Sequence, residues 1–150
     1  MKILIIGPFP PPITGNSLVN SIVFQYLPEH YPEIQIDKID NSFPVLKEDL
    51  GRFSFKKFIF YLIQYLKIFK IINADKIYMA IGITFFGVLK YAPFIFFAKL
   101  LRKEIIVHVH SNHLWKEYGL LQGIKKRIFH NILEKADKGI VLSSSLRKNL

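Results

Sequence analysis

Met1-Lys-Ile-Leu-Ile-Ile-Gly7-Pro-Phe-Pro-Pro-Pro-Ile-Thr14-Gly15-Asn16-Ser17 is the stretch that decides the fold. Ile3 to Ile6 form a short, unbroken apolar run, as in a strand covered on both faces. The run ends at Gly7, and Pro8, Pro10, Pro11 and Pro12 stiffen the loop that follows. Gly15-Asn16-Ser17 then opens an amphipathic helix. A buried strand, a loop and a helix N-terminus aimed back across the strand's end is how open α/β sheets build ligand sites. Gly15 leaves that helix start bare, so an anionic or hydroxyl-rich ligand can approach the backbone N–H groups.

Working outward, periodicity predicts strands at Lys2–Ile6, Ile34–Ile39, Lys76–Ile81, Glu104–His110 and Gly139–Leu142. Between them it predicts helices over Gly15–Leu27, Gly51–Ile72 and Leu114–Ala136, with one or two over Thr84–Leu101 divided at Pro93. Ser143–Ser145 would cap a last helix. Alternating strands and helices imply a Rossmann-like, doubly wound parallel sheet in a three-layer α/β/α stack. The chain reads as one domain, 1–150, cut short near its C-terminal end.

Composition narrows the classes. Half the residues are hydrophobic and 15% aromatic, which excludes disorder. With no cysteine, disulfides and thiolate metal sites are excluded. A net charge of +10 points to an anionic partner. Neither Phe53–Ile72 nor Phe85–Leu101 offers the roughly 20 nearly charge-free residues of a spanning helix. Gly-x-Gly-x-x-Gly and Gly-Lys-Ser/Thr are both missing, as is any RNA-binding signature, so no nucleic-acid partner is expected.

Two further clusters carry chemistry. In Val107-His-Val-His-Ser-Asn-His113, His108 and His110 share one strand face, because side chains alternate with period two. They lie at the strand end where open sheets bind ligands. His108 also reads as an imidazole hydrogen-bonded inside the sheet. The His-x-His-x-x-His spacing through His113 resembles zinc hydrolases, but Asn112 stands where an Asp belongs, so no metal is expected. In the helix through Phe55–Lys70, Phe55, Phe58, Leu62, Tyr65, Leu66 and Phe69 form the face expected to pack on the sheet. Lys56, Lys57, Gln64, Lys67 and Lys70 take the opposite arc, interleaved with Phe60 and Ile63, as on a surface lying on anionic lipid.

Taken in order, four segments resemble the N-terminal half of a GT-B glycosyltransferase of the family-4 group. They are Gly7–Gly15, Ile105–His110, the long helix through Leu133, and Ala136–Ser143. The resemblance implies one half of a GT-B architecture: an acceptor-side domain, inactive without a donor-binding domain or partner subunit. It implies transfer of a sugar from a nucleotide-sugar donor substrate to a glycan or lipid-linked acceptor, with retention, no metal and no cofactor. His110 is then the catalytic candidate, with Thr14, Gly15, Asn16, His108 and Ser111 binding substrate. Asn16 replaces a glycine common in that family. The expected location is cytoplasmic, peripheral on the inner membrane face through Lys56, Lys57, Phe60, Ile63, Lys67 and Lys70. The alternative is a non-catalytic module that binds a membrane surface or a protein.

Overall fold

The computed structural model describes residues 1–43, 55–111 and 113–141. Among them, β1 (Lys2–Gly7), β2 (Gln35–Asp40), β3 (Lys76–Ile81), β4 (Glu104–Val109) and β5 (Lys138–Val141) pair in parallel throughout. The strand order is β2-β1-β3-β4-β5. The helices are α1 (Gly15–His30), α2 (Phe55–Tyr65), α3 (Phe85–Leu89), α4 (Ala92–Leu100), α5 (Leu114–Leu120) and α6 (Gly123–Leu133). A 3-10 segment, Leu66–Asn73, continues α2.

Burial follows side-chain alternation. Leu4, Ile6, Ile77, Met79, Ile105 and Val107 point to one face, where Ile71, Tyr91, Phe94, Ile95 and Phe129 close the core. Ile3, Ile5 and Tyr78 point to the other, where α1 packs Val23, Phe24 and Leu27 against them. Strands β1 and β3 are buried along almost their whole length, whereas β4 alternates, leaving Ile106 and His108 half-buried on the α1 face. The result is a three-layer, doubly wound α/β/α sheet with the flavodoxin-like strand order.

The tripeptide Ala-Asp-Lys occurs twice, at 74–76 and 136–138, and performs the same task each time. The Asp75 carboxylate accepts the Lys2 N–H at 2.7 Å while its own N–H donates to Lys2 O. Asp137 does the same with Ile105, at 2.8 Å for the side-chain bond. Each aspartate thus sets the register of an incoming strand against its neighbour.

Three sequence expectations need correction. Of the apolar face predicted to pack on the sheet, Tyr65 does so, against Phe94, but Phe55, Phe58, Leu62, Leu66 and Phe69 point outward and are all more than half exposed. Gln64 is buried instead, and Phe60 packs edge-on to Phe43 and Tyr61. The predicted helix 114–136 is two helices, divided where Gly123 takes a φ of +54° that favours glycine. The 84–101 division falls at Lys90–Tyr91, and Pro93 sits in the first turn of α4, where its missing N–H costs nothing. The predicted start of the 51–72 helix, Asn112, Leu142 and the cap at Ser143–Ser145 lie outside the described residues.

Candidate ligand site at the carboxyl end of the sheet

Strand order reverses direction between β1 and β3, and α1 starts above that junction. The Asn16 amide donates to Ile81 O at 3.3 Å, tying the helix start to the end of β3. Thr14 is the N-cap: its hydroxyl accepts the Ser17 N–H at 3.1 Å. Ser17 Oγ in turn accepts the Thr14 N–H at 2.7 Å and lies 2.8 Å from Pro12 O, completing a capping box. Leu18 N–H donates to Thr14 O. The cap therefore leaves the Gly15 and Asn16 N–H groups facing out of the helix start, at the positive end of its dipole. Nothing lies within 4 Å of where a Gly15 side chain would begin.

The proline loop is anchored by its one aromatic. Phe9 is buried, edge-on to Phe24 and with Lys38 Nζ 4.4 Å from its ring centre. Its N–H donates to Ser42 Oγ at 2.7 Å, so the end of β2 holds the loop in place. Below the loop, Asn20 is fully buried and its amide donates to Pro8 O at 2.8 Å.

One strand beyond β3 lies the histidine pair. Tyr78 Oη and His108 Nδ1 are 2.5 Å apart, and the His108 and His110 rings sit 3.8 Å apart, tilted by 39°. Burial, and then the neighbouring His110, push the His108 pKa down to about 4. Burial also lowers His110 and raises the Tyr78 phenol to about 12. All three are therefore neutral at neutral pH. A protonated phenol donating to Nδ1 leaves the His108 proton on Nε2. His110 Nε2 is buried without a hydrogen-bond partner, an unsatisfied polar atom beside the Tyr78–His108 pair.

The predicted site residues separate into two kinds. Gly15 stays open at the start of α1, whereas His110 lies against His108 with its Nε2 buried and unpartnered. Thr14 caps α1, Asn16 ties α1 to β3, and His108 bonds Tyr78. Ser111 Oγ accepts the His113 N–H within its own turn, at 3.1 Å. Sequence reasoning passed over Tyr78, although a tyrosine inside the apolar strand Lys76–Ile81 signals a phenol in need of a partner. Among the described residues, no three His, Cys, Asp or Glu side chains converge to hold a metal ion.

The fold defines a doubly wound domain with a bare helix start at the point where its strand order reverses. No known protein-family profile matches the chain, and no curated protein matches it in sequence. Among solved structures, azoreductase from Bacillus anthracis str. Sterne superposes with a TM-score of 0.50, over 94% of this chain and 85% of its own, at 9% identity. At that identity the likeness establishes the fold. It overturns the glycosyltransferase assignment, because the structure matched is an azoreductase and not a GT-B enzyme. The motifs behind that assignment were generic to doubly wound sheets, and its long helix through Leu133 is broken at Gly123. No helix among the described residues is long and apolar enough to cross a membrane.

Proposed function

We propose that the domain binds a phosphate-bearing, planar small molecule of the flavin mononucleotide type at the β1/β3 switch point. The observation that carries this reading is the open start of α1: two outward N–H groups, a bare Gly15 and a capping box that keeps Thr14 and Ser17 out of the way. Such a helix start favours a phosphate without any cationic side chain. The residues fit such a group at the N–H pair of Gly15 and Asn16 for the phosphate, and a polar ring atom that displaced the cover over His110 would pair its buried, unpartnered Nε2. A flavin supplies reversible electron and hydride transfer when bound, the reductive chemistry that the azoreductase of like fold is named for. The chain's own part is to hold the phosphate, orient the ring and offer a neutral imidazole as hydrogen-bond partner.

Gly15→Asp tests the reading, because it moves stability and binding in opposite directions. The new side chain meets open space, and an acid in the first turn favours the helix dipole, so the fold holds. A carboxylate there fills the phosphate position and repels it. Quenching of flavin mononucleotide fluorescence should show binding to the wild-type chain, at least tenfold weaker binding of riboflavin, and loss of binding in Gly15→Asp. No quenching by the wild type, or equal affinity for both flavins with Gly15→Asp indifferent, overturns the proposal.

A further inference from the structure

The face of α2 and its 3-10 continuation that points away from the sheet is almost entirely apolar. Phe55, Phe58, Ile59, Leu62, Ile63, Leu66, Phe69 and Ile72 are each between 43% and 73% exposed. Their spacing explains the continuity. Positions 55, 58, 59, 62, 63 and 66 follow the helical repeat, and the three-residue turn of the 3-10 segment keeps 66, 69 and 72 in line with them. With about half of each of the eight side chains' roughly 150–250 Å² in solvent, the stripe presents on the order of 600–1,000 Å². The largest apolar patch on an ordinary monomer is about 300–600 Å², and larger ones mark interaction surfaces.

Charge decides the occupant. The stretch Phe55–Asn73 contains four lysines and no acid. Lys56 and Lys67 are exposed beside the stripe, with the Lys67 ammonium donating to Gln64 Oε1 at 2.7 Å. Lys103 Nζ reaches Ile72 O at 3.0 Å, adding a cation at the far end. Lys70 is drawn away to Asp37, at 2.8 Å, and Lys57 turns inward, so neither belongs to the outward set. An apolar helical stripe rimmed by lysines, with no carboxylate to repel phosphate headgroups, matches an anionic bilayer lying along the helix. We infer that α2 and residues 66–73 dock this domain on an anionic lipid surface, inserting Phe58, Leu62 and Leu66 below the headgroups. Ile63, Lys56 and Lys67 were singled out from sequence, but Phe60 packs on Phe43 and Tyr61 instead, and most of the stripe comes from the face expected to cover the sheet. This inference is independent of the flavin reading.

Vesicle co-sedimentation of the full chain tests it. Vesicles of 70% phosphatidylcholine and 30% phosphatidylglycerol should bind the wild type, and pure phosphatidylcholine should bind it at least tenfold less. Phe58→Ser with Leu66→Ser alters only exposed positions and should lower partitioning at least tenfold with an unchanged circular dichroism spectrum. Lys56→Glu and Lys67→Glu should each lower it about fivefold or more, the scale of one basic residue near an anionic surface. Ile124→Ser, exposed on α6, should change nothing. Absence of binding to the anionic vesicles overturns the inference. So does a stable dimer in sedimentation equilibrium that Phe58→Ser and Leu66→Ser dissolve, since the face would then belong to a second copy.

Discussion

Gly7→Ala is the substitution whose consequence the structure specifies most closely. A Cβ on Gly7 would lie 2.3 Å from Asn20 Nδ2 and 3.3 Å from Asn20 Cγ. Asn20 is fully buried on α1, and its amide holds Pro8 O at 2.8 Å. The carboxamide must therefore move, breaking that bond inside a packed strand–helix contact. Overpacking of this kind costs about 1–3 kcal/mol, and a buried carbonyl left unpaired about 1–3 more. The restriction of the unfolded chain by alanine returns about 0.4–1 kcal/mol. The net expectation is a loss of about 3 kcal/mol, or roughly 6–12 °C in Tm for a domain of this size.

The second half of the cycle separates this cause from a general intolerance of β1. Asn20 Oδ1 is already buried without a partner. Asn20→Ala removes one unpaired acceptor but leaves Pro8 O unpaired in the same way, and should cost about 1–3 kcal/mol. In the double variant the alanine at 7 has room, so its stability should approach that of Asn20→Ala alone. Urea denaturation of the four proteins gives a coupling energy expected at about 3 kcal/mol. A loss below 1 kcal/mol for Gly7→Ala, or a double variant equal to the sum of the singles, would refute the argument.

Three further outcomes follow from the same structure. The His108 pKa is depressed from 6.5 to about 4 in the fold, so the unfolded chain takes up its proton first as pH falls. Stability present at neutral pH should decline from about pH 6.5 towards 4. Allowing for solvent at the half-buried ring, the loss is about 1–2 kcal/mol, less than the shift alone would give. His108→Phe should flatten that limb between pH 6.5 and 5 in denaturation profiles; parallel profiles would count against it. Burial lowers the Lys90 pKa to about 8, while the Tyr61 and Tyr91 rings lie 5.1 and 5.2 Å from its ammonium. Lys90→Met should therefore stabilise the domain by about 1–2 kcal/mol at pH 7, with the gain shrinking as pH rises from 8 to 10.5; a lower Tm at pH 7 would contradict this. Asp137→Ala should cost about 1 kcal/mol in urea denaturation through loss of the Ile105 N–H bond, whereas Asp137→Asn, which keeps an acceptor, should cost less.

How much of this was written in the sequence depends on how many forces each residue answers to. The strands of the core were legible because Ile3–Ile6 and Ile77–Ile81 are buried from both sides and carry an unbroken apolar signal. The start of α1 was legible for the same kind of reason: capping chemistry is local, and Thr14 to Ser17 contain all of it. The orientation of α2 was not, because apolar residues lie on both of its sides. A hydrophobic pattern reports which face is most apolar and assumes that face is buried. Here Phe60, Tyr61, Tyr65, Ile68 and Ile71 turn inward with Gln64, and the more apolar stripe is left outside. The histidine pair was half legible. Period-two alternation put His108 and His110 on one face, but only the register of β3 against β4 brings Tyr78 close enough to engage one and leave the other free. The failed enzyme assignment has the same origin. A glycine-proline loop and a histidine at a strand end are common to doubly wound sheets, so they identify the fold and not a reaction. What remains specific to this chain is what such a fold does not require: an N–H pair left open by a closed capping box, and an apolar helix face turned away from its own core.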